Sequence, residues 1–256
     1  MTIEYVNVEE AIRRNGLRMV VVSGLPSPWG EAAKGIFHIK KIDWVAVRLV
    51  YDSESLAKWA GQQSGPIAIY DDEEPLSGWA EISELAERLA PTPRLIPEDS
   101  AERDEVLALA KELLGKDGLA WSRRLHMIDA GIKKEGGFPE RVAQYLGNKY
   151  GFSAEDGAAP GQRVVDLLDK LTSMLKKQER AGSPYYFGDS VTVADVYSAT
   201  CMALFAPLPP EQCDMNPRSR ETFSKVDRRT QTALDPILLN HREMMYKTYL
   251  QLPLSL

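Results

Sequence analysis

Residues 187–205, FGDSVTVADVYSATCMALF, say more about the fold than any other stretch of this sequence. Thr192 and Asp195 have the spacing of a capping box, in which a hydroxyl and a carboxylate satisfy exposed backbone N–H groups at the start of a helix. The residues after them are mostly small or apolar, which predicts a deeply buried helix. Taken alone, the motif indicates a stabilising role and carries no chemistry.

The sequence around this motif has a helical pattern. Apolar residues recur at helical spacing over residues 99–114, 119–132, 138–150 and 162–180, with glycines between the first three segments. Residues 154–161, AEDGAAPG, are predicted to form a loop. We therefore expect an all-helical domain over residues 99–256.

The first ninety residues have a mixed pattern. Short apolar runs at residues 17–22, 42–50 and 66–70 predict strands, with room for an edge strand at residues 76–77. Amphipathic segments at residues 29–37, 53–62 and 79–89 predict helices. The order β-α-β-α-β-β-α contains one parallel crossover followed by a hairpin-like half. We expect an α/β domain over residues 1–90, whose first predicted element begins at Leu17.

A proline-rich segment separates the two halves. Residues 90–100, APTPRLIPEDS, contain three prolines, which cannot continue a helix. Such a segment is typical of an extended linker, which we place at residues 91–98.

The capping box follows Phe187-Gly188-Asp189, and together they resemble the folding motif of the glutathione transferase superfamily. The order of elements in the first half resembles that superfamily as well. The resemblance implies a fold of class α/β + all-α: a thioredoxin-like domain followed by a helical domain, with the capping motif on a central helix of the second.

The resemblance places the catalytic residue just after the first strand, within residues 23–29, SGLPSPW. Ser27-Pro28-Trp29 resembles the Ser-Pro-aromatic or Cys-Pro-aromatic start of several classes. A helix N-terminus stabilises a thiolate, and a hydroxyl donor beside it lowers the pKa of the glutathione thiol. Ser27 is thus the catalytic candidate and Ser23 the alternative. Ser27 acting only as a helix N-cap is the competing interpretation.

The resemblance also implies a glutathione site at Gly65 and Pro66. A cis proline is expected at Pro66, leaving the backbone of Gly65 to pair with the cysteinyl part of glutathione, although a trans proline opening an edge strand is the alternative. The acidic residue and serine that hold the γ-glutamyl end in this family correspond here to Gly78 and Trp79. Neither supplies a carboxylate. Trp79 and the nearby Ser77 are candidates, the acidic residues 72–74 could supply the charge, and Trp79 is equally suited to packing.

Trp29, Trp121 and Arg124 are the candidates for the pocket of a second substrate, a small hydrophobic electrophile. Trp121 and Arg124 lie three residues apart and would share one face of a helix. The alternative is an ordinary stripe with core on one side and solvated charge on the other.

Composition excludes several classes of partner. The net charge is −6 over 256 residues, which argues against binding to nucleic acid or to an anionic membrane surface. No apolar run approaches the roughly 20 residues that span a bilayer, and the N-terminal residues lack the apolar core of a signal peptide, so a cytoplasmic protein is expected. The chain's two cysteines, Cys201 and Cys213, form no C-x-x-C motif, and its three histidines lack the spacing of metal ligands.

The function that the resemblance implies is a homodimeric glutathione transferase, with glutathione as cosubstrate and no metal. A non-catalytic relative that binds another ligand or a protein partner is the alternative, supported by the Gly78-Trp79 pair. A glutathione-dependent reductase is a third hypothesis, weakened because Ser27 stands where such classes have cysteine.

Overall fold

The computed structural model describes residues 3–153, 155 and 159–256. Its first half contains a sheet of order β1-β3-β2-β4. The first three strands run parallel and β4 is antiparallel to β2. The strands are β1 (Tyr5–Val6), β2 (Leu17–Val21), β3 (Trp44–Arg48) and β4 (Ile67–Tyr70).

Helices cover both faces of this sheet. They are α1 (Val8–Ile12), α2 (Pro28–Ile39), α3 (Glu54–Ala60) and α4 (Trp79–Leu89). Because side chains alternate along a strand, Met19 and Val21 pack into the core cluster that contains α2 and α4. Val20 packs on the opposite face, in the smaller cluster with Leu56 of α3. A central strand buried on both faces explains why the run LRMVVV is apolar at every position except Arg18.

The sequence-based expectation for this half was correct except at its edges. The predicted edge strand at residues 76–77 is reduced to a single bridge between Ala68 and Leu76. The first element begins before Leu17, since β1 pairs with β3 and is followed by α1. A two-residue strand and a five-residue helix are too short for periodicity to reveal. The available signal was Asn7, whose side chain accepts a hydrogen bond from the backbone N–H of Glu10 at 2.8 Å.

The second half is helical in the described ranges. Its helices are α5 (Ser100–Leu114), α6 (Leu119–Ile132), α7 (Glu140–Tyr150), α8 (Ala159–Arg180), α9 (Val193–Cys201), α10 (Pro217–Ser224), α11 (Arg228–Ala233) and α12 (Pro236–Thr248). Helix α8 starts inside the predicted loop at 154–161, of which residues 154 and 156–158 lie outside the described part of the chain. The predicted helices 99–114, 119–132, 138–150 and 162–180 are confirmed within three residues.

Helix α9 lies at the centre of the molecule, and all nine of its residues are buried. Its start is held by Asp195, whose Oδ2 accepts from the backbone N–H of Thr192 at 2.8 Å and from the Thr192 hydroxyl at 2.9 Å. The other oxygen accepts from the backbone N–H of Tyr186 at 2.9 Å and lies 3.1 Å from His241 Nε2. The prediction of a capping motif on a buried helix is confirmed.

Helix α9 also joins the two halves, because it packs against α2, α5 and α12. Val193 donates its backbone N–H to the carbonyl of Leu95, in the proline-rich segment, at 2.9 Å. One core cluster contains residues from both halves. The division at residues 90 and 98 stays a prediction. Among the described residues, no helix is long and apolar enough to cross a membrane.

Candidate active site

Strand pairing brings three loops to one end of the sheet. Val20 lies opposite Ile67 in the β2–β4 pair, so the residues just before Ile67 lie beside the loop that follows β2. Ala68 pairs with Leu76, and the same antiparallel register sets residue 66 opposite residue 78. The loop at 23–27, the dipeptide at 65–66 and the start of α4 therefore gather at one sheet end, as the resemblance requires.

The Gly65–Pro66 peptide bond is cis, as expected. Gly65 lies tightly against β2, and a β-carbon at this position would be 3.0 Å from the carbonyl oxygen of Val20. A β-carbon here would need the neighbouring backbone to move by a few tenths of an ångström. Glycine thus favours the close approach of these two backbones.

Ser27 is the N-cap residue of α2, and Pro28 follows it at the first helical position. The Ser27 carbonyl accepts from the backbone N–H of Glu31 at 2.8 Å, but the side chain makes no cap hydrogen bond. Within the described part of the chain, the Ser27 hydroxyl has no hydrogen-bond partner, and the residue is half-buried. The geometry thus does not use this hydroxyl to cap the helix. Ser23, the alternative candidate, lies in the turn that leaves β2 and is also half-buried.

The start of α4 is arranged differently from the start of α2. The indole of Trp79 packs edge-on against Tyr197 of α9, with ring centroids 6.1 Å apart, and the Tyr197 hydroxyl donates to the Trp79 carbonyl at 3.0 Å. This geometry supports the packing interpretation of Trp79, and its glutathione-binding role stays a prediction. Ser77 is exposed. The carboxylate of Glu81 folds back into the space that a β-carbon on Gly78 would take, so the chain's own acid covers this helix start.

The three candidates for the second-substrate pocket come together. The guanidinium carbon of Arg124 lies 4.2 Å from the ring centroid of Trp29 and 5.8 Å from that of Trp121. A third ring, Tyr150, lies 4.6 Å from Arg124 and packs edge-on against Trp121 at 5.3 Å. Trp29 is fixed by its indole N–H, which donates to the carbonyl of Leu114 at 2.7 Å. We call Arg124 with these three rings the Arg124 cage.

Burial lowers the pKa of Arg124, and the nearby phenols of Tyr150 and Tyr51 oppose that shift. Burial raises the pKa of Tyr51, assisted by Tyr150 and Tyr145 and opposed by Arg124. The Lys149 ammonium lies 4.9 Å from the ring centroid of Tyr51. The cations of Arg124 and Lys149 therefore lie close to the phenols of Tyr51, Tyr145 and Tyr150.

An open cleft of about 420 Å³ is lined by Lys149, the residue before Tyr150 of the cage, and by none of the four cage residues themselves. Gln63 and Ser64 line it and lead directly into Gly65 and Pro66. Its other lining residues are Tyr51, Asp52, Tyr145, Asn148 and Lys149. The sequence analysis missed Tyr51, Tyr145, Lys149 and Tyr150, because they come from a loop and a helix far from Ser27 in sequence. A larger groove of about 570 Å³ lies elsewhere, and none of its lining residues belongs to the sheet or to α2.

The remaining chemically active side chains lie outside this region. His126 is 3.4 Å from Asp227, and burial lowers its pKa. Cys201 and Cys213 are free and buried, and burial raises the pKa of both thiols. In residues 3–153, 155 and 159–256, no cluster of three or more His, Cys, Asp or Glu side chains is arranged to hold a metal ion.

These features define a protein with a thioredoxin-like sheet domain joined to a helical domain, with an open cleft between the loop after β3, the residues before Gly65 and helix α7. No family model matches the sequence, and no curated protein matches it. Solved structures do match. A glutathione S-transferase from Methylobacillus flagellatus, with glutathione bound, aligns over 91% of this chain and 96% of its own, with 17% identity and a TM-score of 0.62.

Two further structures extend this likeness. The β-etherase LigF from Sphingobium sp. strain SYK-6 has 15% identity and a TM-score of 0.57, over 89% of this chain and 99% of its own. A Tau class glutathione S-transferase from mango has 17% identity and a TM-score of 0.53, over 90% of this chain and 96% of its own. The chain has the glutathione S-transferase fold, and the resemblance seen in its sequence is confirmed at that level.

Proposed function

We propose that this protein is a glutathione transferase, which activates the thiol of glutathione and transfers it to an electrophile with an apolar body. The observation that carries the proposal is the Ser27 hydroxyl, which has no partner in the described part of the chain and stands at the start of α2. The cis Gly65–Pro66 bond at the same sheet end and the glutathione bound in the M. flagellatus neighbour support it.

In this proposal, the thiol sulfur of glutathione lies against Ser27. The hydroxyl donates a hydrogen bond to the thiolate, and the free N–H groups of the first turn of α2 add a partial positive charge. Both interactions favour the ionised form, so they lower the thiol pKa. The backbone of Gly65 pairs with the cysteinyl residue, and the Arg124 cage forms a wall of the electrophile's pocket.

Replacing Ser27 tests the proposal. We expect Ser27→Ala to lower kcat/KM about 10- to 100-fold, the worth of a hydrogen bond to a charged group, and to raise the thiol pKa seen in the pH profile. The affinity for glutathione, measured by calorimetry, should change little. Ser23→Ala is the matched control and should behave as wild type. An unchanged rate and pH profile in Ser27→Ala would remove Ser27 from the mechanism.

A non-catalytic relative is the second candidate, and the start of α4 favours it. Glu81 covers the place where the resemblance would put the γ-glutamyl end, and Trp79 packs against Tyr197. No detectable binding of glutathione at millimolar concentration by the folded protein would select this candidate over the transferase.

The proposal includes a homodimer, because members of this superfamily usually pair the first domain of one copy with the helical domain of another. Light scattering at micromolar concentration tests it, and a monomer there would overturn this part of the proposal.

A further inference from the structure

Arg124 differs from every other buried or half-buried arginine in the described part of the chain. Arg123 donates to the carbonyls of Leu204 at 3.1 Å and Lys225 at 2.9 Å. Arg18 donates to two backbone carbonyls, and Arg242 donates to a carbonyl and a carboxylate. Arg124 donates no hydrogen bond and has no carboxylate partner within residues 3–153, 155 and 159–256, where its contacts are to aromatic faces.

An arginine in this state has unused binding capacity. A guanidinium carries five N–H donors in a planar fork that fits a carboxylate through two parallel hydrogen bonds. Aromatic faces attract the cation but offer it no lone pairs in the plane of the fork. Arg124 is half-buried, so solvent reaches its N–H groups, and a carboxylate ligand would replace that water with charge-assisted hydrogen bonds.

The Arg124 cage lies near both Ser27 and the cleft. Trp29, the nearest ring to Arg124, belongs to the first turn of α2, two residues after Ser27. The Lys149 ammonium lies 5.9 Å from the ring centroid of Tyr150 in the cage and 4.9 Å from that of Tyr51, and both Lys149 and Tyr51 line the 420 Å³ cleft. Asp52 is the acidic side chain of that lining, and it is exposed.

We propose that Arg124 binds the carboxylate of the second substrate, so that the electrophile is an acid with an aromatic or apolar body. The inference rests on the proposed transferase function and deepens it, because it names the substrate class of the same site. The body stacks on Trp29 and Trp121, and the carboxylate pairs with the guanidinium fork. Lys149 adds positive charge at the rim of the cleft.

A carboxylate can also come from glutathione itself, which carries two. The shared chemistry is carboxylate binding by Arg124, and the two sources predict different outcomes. If Arg124 serves the electrophile, its removal leaves glutathione affinity unchanged and abolishes the preference for an acidic electrophile. If it serves glutathione, its removal weakens glutathione binding and lowers the rates with acidic and neutral electrophiles equally.

The experiment compares a chloronitrobenzoate with the matching chloronitrobenzamide, which differ only in the charged group. In each reaction the glutathione thiolate attacks the ring carbon, a C–S bond forms, and chloride leaves with the electrons of the C–Cl bond. The thiol proton passes to water. Steady-state rates are measured for wild type, Arg124→Gln, Arg124→Lys and the control Arg141→Gln, an exposed arginine on α7 whose loss changes the net charge equally.

We expect wild type to prefer the acid over the amide by at least tenfold in kcat/KM. Arg124→Gln should lose that preference through a higher KM for the acid, with little change for the amide. Arg124→Lys should keep part of it, since lysine retains the charge and loses the fork. Arg141→Gln should match wild type. Equal rates for acid and amide in wild type, or weakened glutathione binding in Arg124→Gln with the preference intact, would overturn the proposal.

A binding measurement separates this proposal from the transferase proposal. Trp29 and Trp121 report on the cage, so quenching of tryptophan fluorescence by nitrobenzoate and nitrobenzamide is measured without glutathione. Tighter binding of nitrobenzoate that disappears in Arg124→Gln supports the acid site even if no transferase activity is found. Equal binding of the two probes to wild type would overturn it, whatever the outcome with glutathione.

Discussion

Two charged side chains, the buried Asp195 and the half-buried Arg124, differ in the hydrogen bonds that they make within the protein. Asp195, at the start of α9, has both carboxylate oxygens occupied by Thr192, Tyr186 and His241. Arg124, in its cage, has none of its donors used in the described part of the chain. Asp195 is fully buried and offsets its desolvation cost through hydrogen bonds within the protein, whereas solvent reaches the N–H groups of the half-buried Arg124.

The difference separates a group that stabilises the fold from one that is available to a ligand. Asp195 has no oxygen free to bind a ligand, so its removal should lower the free energy of unfolding. Arg124 makes no hydrogen bond within the described residues, so its removal should change stability little and should change which ligands bind. This contrast can be measured, because each charge has a close neighbour that serves as a control.

The largest effect is expected from Asp195→Ala. The substitution leaves His241 and the N–H groups of Thr192 and Tyr186 buried without their acceptor, and breaking such a buried set costs about 3–5 kcal/mol of unfolding free energy. Urea denaturation followed by circular dichroism measures it. Asp189→Ala is the control, because Asp189 is exposed just before the motif and should change stability by less than about 0.5 kcal/mol.

An Asp195→Ala variant that lost under about 1 kcal/mol would contradict this account of the motif, since that is the worth of a single ordinary hydrogen bond.

Adjacent arginines give the next largest effect. Arg123 is 3% exposed and donates to two carbonyls, and burial lowers its pKa to about 10. Arg123→Met leaves those carbonyls unpaired and should cost about 2–3 kcal/mol. Arg124→Met removes a cation with no hydrogen-bond partner in the described residues, so we expect a loss of under about 1 kcal/mol, mostly cation–π attraction. The denaturation midpoints of the two variants are compared in one buffer. Equal midpoints would contradict the expected difference in stability between the loss of Arg123 and the loss of Arg124.

The same contrast explains what could be predicted from the sequence. The capping motif is local: Thr192 and Asp195 are three residues apart, so their spacing reveals the helix start that the structure confirms. The long helices and the central strands were equally predictable, because each carries its own periodicity. Strand β1 and helix α1 were not, since two and five residues are too few to show a period.

The site could be predicted only in part. The positions of Ser27, Gly65 and Pro66 at one end of the sheet could be predicted because the resemblance attaches them to the ends of strands, and their roles stay predictions. The Arg124 cage is assembled from α2, α6 and α7, and the sequence pointed to Trp29, Trp121 and Arg124 but not to Tyr150. No local pattern shows that Trp29 at the start of α2 and Tyr150 at the end of α7, more than a hundred residues apart, contact the same guanidinium.

A smaller effect is expected where the cage is anchored. Trp29→Phe keeps an aromatic ring beside Arg124 and removes the indole N–H that donates to the carbonyl of Leu114. We expect a loss of about 1 kcal/mol, the net worth of one hydrogen bond. Trp59→Phe is the control, since Trp59 also carries an arginine over its ring but makes no indole hydrogen bond in the described structure. Thermal melts that show equal losses would mean that the Leu114 bond contributes nothing.

The smallest effect is expected at the start of α4. This site is intermediate between Asp195, which is fully hydrogen-bonded within the protein, and Arg124, which is not. Glu81 places its own carboxylate over this helix start, where the resemblance would put the γ-glutamyl end of glutathione. An acid near a helix N-terminus is stabilised by about 0.3–1 kcal/mol, so Glu81 and a bound carboxylate compete for the same amides. Glu81→Gln should therefore raise glutathione affinity about two- to fivefold, the same free energy expressed as a binding ratio.

Calorimetry measures this change, with Glu84→Gln as the control because Glu84 lies one turn further along α4 and pairs with Arg103. Unchanged affinity in both variants would mean that glutathione does not use this helix start. Gly78 would then mark a real departure from the superfamily's mode of binding, and Ser27 with Gly65–Pro66 would have to hold the tripeptide alone. Higher glutathione affinity in Glu81→Gln alone would instead show that glutathione can use this helix start and that the Glu81 carboxylate competes with it there. Arg124, in contrast, has no competing carboxylate in the described part of the chain.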